Sequence, residues 1–203
     1  VLLFLMAPII IVVAAAFNAG SYLTFPPQGL SLRWFENFFA SEAFMRALGY
    51  SLRLALLVTL VSTVMGTMAS LFVVRNVPRF RESLRTLFVA PLAFPSILTG
   101  IALLIYFYAV GVGTRGGIGL FVGHVLVSMP FVFISVSTVL VRFDRSLEEA
   151  SRSLGAGGFT TFRRITLPLI KGGVVSGAVL AFITSFDQFP ISLLLKGTGT
   201  TPL

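Results

Sequence analysis

Long apolar segments separated by short polar ones dominate the pattern of this chain. Five of them are predicted to be membrane spans, and they cover residues 1–17, 47–74, 86–110, 118–141 and 172–195. An α-helix needs roughly 20 apolar residues to cross the hydrocarbon core of a bilayer, and most of these segments reach that length. The pattern therefore predicts an all-α, polytopic membrane helix bundle in which residues 1–203 form a single transmembrane domain.

The first apolar segment has two interpretations. Residues 1–17 would span the bilayer if a few residues precede Val1, whereas the run Ala14-Ala15-Ala16 is typical of a signal-peptide cleavage region. A signal peptide begins with a positively charged region, which is not visible here, so a first transmembrane helix is favoured. Because the chain begins and ends close to apolar runs, we expect it to be a fragment at both ends.

Small residues and prolines mark special positions within the predicted spans. Two stripes of small residues recur every four positions and predict close helix packing. They are Ser62, Gly66 and Ser70, and Gly173, Gly177 and Ala181. Pro91 and Pro95 predict a kink or a break in the third span. A packing kink is the favoured interpretation, and a break that borders a substrate path is the alternative.

Composition excludes several classes of protein. Charged residues make up 11% of the chain and the mean hydropathy is +0.98, whereas soluble domains carry about 25% charged residues. The absence of cysteine and the single histidine argue against disulfides and metal sites, and no cofactor is expected. The net charge of +8 is scattered between apolar runs, so nucleic acid is not expected as a partner.

The distribution of positive charge predicts the orientation. Residues 75–85 and 142–171 carry ten of the 15 lysines and arginines, and these two segments lie on the same side of the predicted bundle. Short cytoplasmic loops are enriched in Lys and Arg. The amino terminus and both segments are therefore predicted to face the cytoplasm.

The polar loop over residues 142–171 predicts two short helices. The first covers residues 147–154, with Asp144 or Ser146 as its N-cap. Glu148 and Glu149 fall in its first turn, where carboxylates suit the positive end of the helix dipole.

Glycines and a proline divide the rest of this loop. Three glycines, Gly155, Gly157 and Gly158, are predicted to end the first helix, because glycine readily adopts the left-handed backbone conformation found after helix ends. A second short helix is predicted over residues 159–165, and Pro168 is predicted to end it.

This loop resembles the EAA loop of binding-protein-dependent ABC transporter permeases. That pattern is Glu-Ala-Ala, three residues, Gly, nine residues, Ile, one residue, and Leu-Pro. The matching residues are Glu149, Ala150, Gly155, Ile165, Leu167 and Pro168, with Ser151 where the family usually has a second alanine. The resemblance implies a cytoplasmic coupling loop that docks into a separate ATPase subunit. Glu149 would pair with a basic group of the ATPase, and Gly155 would make the turn between the coupling helices.

Two further segments, residues 25–35 and 185–195, resemble the spermidine/putrescine permeases. This resemblance implies a polyamine importer in the bacterial plasma (inner) membrane. Its partners would be ABC ATPase subunits, a second and paralogous permease subunit, and a periplasmic or extracellular solute-binding protein. The family has six core helices, so a sixth is expected beyond Leu203.

The chain itself is not expected to be an enzyme. Neither of its two lysines stands in a GxxxxGK[ST] loop, so ATP hydrolysis would occur on the separate subunit. Residues 111–116 match GxGxxG by letter, but they lie between two spans and not between a strand and a helix. A secondary transporter or channel is the alternative to the ABC permease.

His124, Ser185 and Asp187 are candidates for a substrate path. His124 could act in a proton relay or face a polar cavity, but a position near the membrane interface with a satisfied hydrogen bond is favoured. Asp187, near the outer end of the fifth span, has two equally weighted interpretations. It either lines the path and attracts a cationic substrate, or it is the N-cap of a helix that restarts near Pro190.

Overall fold

The computed structural model describes residues 2–20, 22, 26–197 and 202. Within them the fold is all-α, as predicted, and the only strand-like pairing is an isolated bridge between Asn18 and Leu30. Val1 and Phe25, which belong to predicted segments, lie outside the described residues. The α-helices are α1 (Leu2–Ala16), α2 (Arg33–Ala40), α3 (Glu42–Asn76), α4 (Arg81–Val89), α5 (Ser96–Ala109), α6 (Ile118–Val141), α7 (Ser146–Ser153), α8 (Gly158–Thr161), α9 (Leu167–Phe186) and α10 (Phe189–Leu195).

The chain divides into two compact units, residues 1–49 and 50–203. In the first unit, Asn18 is fully buried and organises the segment after α1. Its side-chain oxygen accepts the backbone N–H of Gln28 at 2.9 Å, and its carbonyl accepts the indole N–H of Trp34 at 3.0 Å. These bonds satisfy backbone groups of a proline-containing segment that cannot form a continuous helix.

Three helical segments of the described chain are long and apolar enough to cross a membrane: Glu42–Asn76, Arg115–Val141 and Gly158–Phe186. Arg81–Ala93 and Ser96–Ala109 qualify together as a fourth, although they are bent by 100°. The first predicted span corresponds to α1, a shorter apolar helix of 15 residues. The prediction of a helical membrane bundle is confirmed, and the number of five spans stays a prediction.

The third predicted span is not one continuous helix. The favoured prediction of a packing kink was therefore wrong, because the helix is broken. The helical segment that starts at α4 ends at Ala93, and α5 begins at Ser96. Phe94 is extended, with φ −103° and ψ 140°, because the ring of Pro95 disfavours a helical conformation in the residue before it. The Pro95 carbonyl then accepts the N–H of Leu98 at 2.9 Å and starts the new helix.

The prediction that Pro168 ends a separate second coupling helix was wrong. The chain is helical from Gly158 to Phe186, and Pro168 lies inside this segment. Residues Phe162–Thr166 form a π-helical turn just before the proline. A proline has no N–H, and in an α-helix its ring clashes with the carbonyl four residues earlier. The wider π turn moves the carbonyls of the preceding turn away from the proline ring, so the helix continues.

The fifth predicted span, over residues 172–195, is interrupted. Helix α9 ends at Phe186, and α10 starts at Phe189. The two helices are separated by Asp187 and Gln188, which adopt non-helical backbone angles. The span therefore ends at α9, and α10 is a separate short helix that packs against α5 and α6.

The predicted stripes of small residues form close helix contacts, as expected. A Cβ placed on Gly177 of α9 would lie 2.8 Å from the Cα of Val132 in α6. A Cβ on Gly66 of α3 would lie 2.7 Å from the Val132 Cβ. Ser70 adds a polar contact, because its hydroxyl lies 2.9 Å from the carbonyl of Phe133. Close approach through small residues is how helices associate in lipid.

Substituting Gly177 by Ala should destabilise the second unit by about 1–3 kcal/mol, because the added methyl group meets backbone that cannot move aside. Gly172→Ala is the matched control, since nothing lies within 4 Å of its Cβ position. This control should be neutral or more stable by up to about 1 kcal/mol. Thermal unfolding of the detergent-purified chain measures both effects, and equal shifts for the two variants would contradict the packing described.

Candidate functional site: the loop between α6 and α9

Helix α7 begins as predicted from its acidic first turn. Glu148 and Glu149 both lie in that turn, but the prediction of Asp144 or Ser146 as the N-cap was wrong, because the helix starts at Ser146 and Arg145 occupies the N-cap position. Asp144 Oδ1 accepts the backbone N–H of Ser146 at 2.9 Å, so it satisfies one of the free donors at the helix start. This bond, together with the Ser146 hydroxyl, holds the pKa of the Asp144 carboxyl below its usual value.

The end of α7 is a Schellman motif built on Gly155. This residue has φ +85°, in the left-handed region, as the sequence predicted. The N–H of Ala156 bonds to the carbonyl of Ser151 at 3.1 Å, and the Gly155 N–H bonds to the Arg152 carbonyl at 2.9 Å. Both bonds satisfy carbonyls that the last helical turn leaves free. A side chain at residue 155 would strain this turn.

A buried ion pair fixes α7 to the bundle. The Glu148 side chain is only 7% exposed, and its Oε1 lies 2.5 Å from a guanidinium nitrogen of Arg75 at the end of α3. The hydroxyl of Thr166, in the π turn, donates to the same carboxylate oxygen. Three segments far apart in the sequence therefore meet at one carboxylate. Sequence reasoning placed Glu148 at the helix dipole and missed this role.

Weaker contacts complete the attachment of the loop. The Arg145 guanidinium donates to the carbonyl of Val74 at 3.0 Å. The Arg75 guanidinium lies over the ring of Phe143 at 5.6 Å from its centroid, within the range of a cation–π interaction. The hydroxyls of Ser151 and Thr161 are 3.1 Å apart and join α7 to α8. The predicted coupling residue Ser151 is thus a contact within the loop.

The outer surface of this loop combines charge with exposed apolar side chains. Glu149, Ala150, Leu167 and Pro168 are exposed, and Ile165 is half-buried. Leu154 and Phe159, on either side of the glycine turn, are 89% and 76% exposed. Apolar surface with polar residues around it marks candidate protein-binding sites, and this loop surface is such a candidate. Sequence reasoning did not single them out, although both flank the turn residues that it identified.

The predicted path residues His124 and Ser185 do meet. His124 is buried, its Nδ1 lies 3.0 Å from the Ser185 hydroxyl, and its Nε2 lies 3.0 Å from the hydroxyl of Ser192. Both ring nitrogens are therefore satisfied, as the favoured interpretation predicted, and the position of His124 near the membrane interface stays a prediction. The imidazole joins α6 to α9 and α10, and Ser192 is a partner that the sequence analysis missed.

Asp187 lies apart from this network and is exposed at the C-terminal end of α9. A helix does restart near Pro190, but its N-cap residue is Gln188, so the capping interpretation of Asp187 was wrong. A cleft of about 190 Å³ opens beside Gln188, at the break between α4 and α5. Its lining includes Phe94, Phe131 and Thr184.

Comparison with known proteins identifies the chain's relatives. Residues 62–203 match the family described as binding-protein-dependent transport system inner membrane component. The chain is 36% identical over 207 residues to the putrescine transport system permease protein PotI of Escherichia coli (strain K12), which covers 98% of this chain and 73% of that protein. It is 30% identical over 197 residues to the spermidine/putrescine transport system permease protein PotC of Haemophilus influenzae, with coverage of 97% and 76%.

A third relative carries a different substrate name. A probable molybdenum ABC transporter permease of Haloferax volcanii is 32% identical over 162 residues, which cover 76% of this chain and 60% of that protein. The apolar helix bundle and these relatives define a membrane permease. The family match spans more than half of the chain, and the chain therefore belongs to the binding-protein-dependent transport system inner membrane components.

Removal of the Glu148 charge should loosen the loop. We expect Glu148→Gln to leave the Arg75 guanidinium without its carboxylate, a change that typically costs about 3–5 kcal/mol for a buried pair. Amide hydrogen exchange over residues 146–166 should then become faster. Glu149→Gln is the matched control, because its side chain is exposed and the expected change is within about 0.5 kcal/mol. Equal exchange rates in the two variants would contradict the attachment described.

Proposed function

We propose that this chain is the membrane subunit of an ATP-driven importer, and that the loop over residues 142–171 docks into a separate ATPase subunit. The observation that carries this proposal is the pairing of an exposed apolar tip, formed by Leu154 and Phe159, with a buried attachment at Glu148. A loop without a partner gains nothing from presenting such side chains on a fixed support.

The docking surface has the composition of an interface core with a charged rim. Leu154 and Phe159 supply the apolar anchors, and such anchors contribute most of the binding free energy in protein interfaces. Glu149 is exposed on the adjacent turn of α7 and is free to pair with a basic group of the ATPase. A charge at the rim mainly sets orientation and association rate.

Two connections would carry motion from this surface to the membrane helices. Glu148 joins α7 to Arg75 at the end of α3, so displacement of α7 pulls on that helix. The uninterrupted helix from Gly158 to Phe186 joins the loop to α9 without a hinge. Closure of the ATPase subunits would therefore shift α3 and α9 together and change which side of the bundle is open.

The orientation and the remaining partners follow from this proposal. The loop and the amino terminus face the cytoplasm, where ATP is available, in agreement with the positive charge of residues 75–85 and 142–171. ATP hydrolysis belongs to the partner ATPase, and this chain carries out no covalent chemistry. A second, paralogous permease subunit completes the path, and a soluble binding protein delivers the solute.

The proposed substrate is a polyamine such as putrescine or spermidine. Two relatives that cover nearly the whole chain carry these names. The cleft beside Gln188 offers the rings of Phe94 and Phe131, which attract ammonium groups through cation–π interactions. Asp187, the residue before Gln188, adds a negative charge at the end of α9, whereas His124 and Ser185 hold that end in place.

Uptake assays with the assembled transporter decide between substrate classes. Labelled putrescine should be accumulated and molybdate should not, and Asp187→Asn should raise the putrescine concentration needed for half-maximal uptake. Uptake of molybdate in place of putrescine would reject the polyamine and leave the importer proposal intact.

Truncation of the apolar tip should weaken binding of the ATPase. Leu154→Ala should reduce its affinity about tenfold or more, as expected for loss of an interface anchor. Leu147→Ala is the matched control, because it makes the same change at the other end of α7, whose C-cap is Leu154, at a residue that is 46% exposed. Co-purification of the ATPase with each variant, and ATP-dependent uptake, provide the measurements.

Two outcomes would contradict the coupling proposal. Equal retention of the ATPase by both alanine variants would show that Leu154 does not contribute to the interface. Uptake by the purified chain driven by an ion gradient, with no ATPase bound, would favour the rival class of secondary transporter.

A further inference from the structure

Three arginines converge on a cleft at the end of the bundle where the coupling loop lies. The cleft has a volume of about 230 Å³ and is bounded by the ends of α3, α4 and α6. Arg81 and Arg85 approach it from α4, and Arg142 approaches it from the C-cap position of α6. Val74, Ile134 and Val141 line the same cleft, and Val141 is 56% exposed, so the arginines lie beside exposed apolar surface.

Aromatic packing holds the basic face of α4 towards this cleft. Arg81, Arg85 and Phe88 recur at positions i, i+4 and i+7, which share one face of a helix. The ring of Phe88 stacks on Phe133 of α6, with centroids 5.0 Å apart. The arginines are therefore directed to α6 by a fixed contact, and their convergence is part of the fold.

The positive charge of the cleft is largely uncompensated. Among the residues that the structure describes, Glu82 is the one carboxylate paired with it, and it lies 3.9 Å from Arg85 with both side chains well exposed. Exposed pairs of this kind contribute little because water and salt screen them. Arg81 and Arg142 take part in none of the ion pairs within the described ranges. Such a cleft repels a polyamine cation and attracts an anion.

We infer that Arg81, Arg85 and Arg142 form a binding site for the phosphate headgroup of an anionic phospholipid. Guanidinium groups bind phosphate oxygens in a planar, two-bond geometry. Basic pockets between membrane helices on the cytoplasmic side hold the headgroups of acidic lipids. The inference rests on the orientation proposed above, which places this end of the bundle at the cytoplasmic leaflet.

The surroundings favour a lipid over a free anion. A free phosphate would gain nothing from the exposed apolar surface at Val141, whereas the glycerol and upper acyl carbons of a lipid would cover it. A second groove, of about 670 Å³, is lined by apolar residues that include Leu87, Leu98 and Leu126. Leu126 and Phe133 are seven residues apart and so share one face of α6, about 10 Å from each other along the helix. That groove is the path for the acyl chains.

Titration of the full-length permease in detergent, read by native mass spectrometry, tests this site. Phosphatidylglycerol should bind more tightly than phosphatidylcholine with the same acyl chains. The double variant Arg81→Gln, Arg142→Gln should lose roughly 30-fold in affinity for phosphatidylglycerol, from the attraction typical of two arginines near a membrane surface. Arg79→Gln is the matched control, because Arg79 lies on the same segment but does not line the cleft.

Two further measurements distinguish a lipid site from its alternatives. Arg81→Lys with Arg142→Lys preserves the charge and the fold, and it should retain part of the affinity because an ammonium group cannot form the two-bond contact. Equal losses in the cleft and control variants, or equal binding of the two lipids, would overturn the inference. Displacement of the lipid by millimolar inorganic phosphate would overturn it in favour of a free-anion site. This measurement needs no ATPase, so its result does not depend on whether the loop binds an ATPase subunit.

Discussion

The buried pair between Arg75 and Glu148 is the interaction on which the rest of the loop depends. Burying two charges requires their removal from water, and this cost is recovered only when each finds well-placed partners. Here the carboxylate has both a guanidinium and the hydroxyl of Thr166. The partners lie 73 and 18 residues away in the sequence, so one side chain links the end of α3, the start of α7 and the entry to α9. Without it, α7 would be held by the weaker contacts of Arg145 and Ser151.

The π turn over Phe162–Thr166 serves the same purpose from the other side of the loop. A proline at residue 168 would ordinarily end or kink a helix, which would place a hinge between the loop and α9. The wider turn places Thr166 at Glu148 and lets the helix continue to Phe186. A force applied at the loop surface therefore has a continuous helical path into the bundle. The exposed Leu154 and Phe159 lie at the opposite end of that path, where a partner could act.

Local features of this fold could be read from the sequence, and long-range ones could not. The acidic start of α7, the glycine at its end and the small-residue stripes each depend on residues within a few positions of one another, and each appears as predicted. The role of Glu148 depends on Arg75, and that of His124 on Ser192, and neither partner leaves a local signal. The two proline predictions failed in opposite directions. Pro95 breaks its span because it forces Phe94 into an extended conformation. The helix continues through Pro168 because a π turn precedes it.

The central claim is that the tip of this loop contacts an ATPase, and site-specific cross-linking tests it most directly. The chain has no cysteine, so a single cysteine at residue 154 is a unique attachment point on an otherwise wild-type background. Assembled with its ATPase, the Leu154→Cys protein should form a cross-link to that subunit whose yield changes when ATP is bound. Val112→Cys, in the turn between α5 and α6 at the other end of the bundle, should form none. Cross-links of equal yield from both positions, or none from residue 154 in an active transporter, would contradict the account.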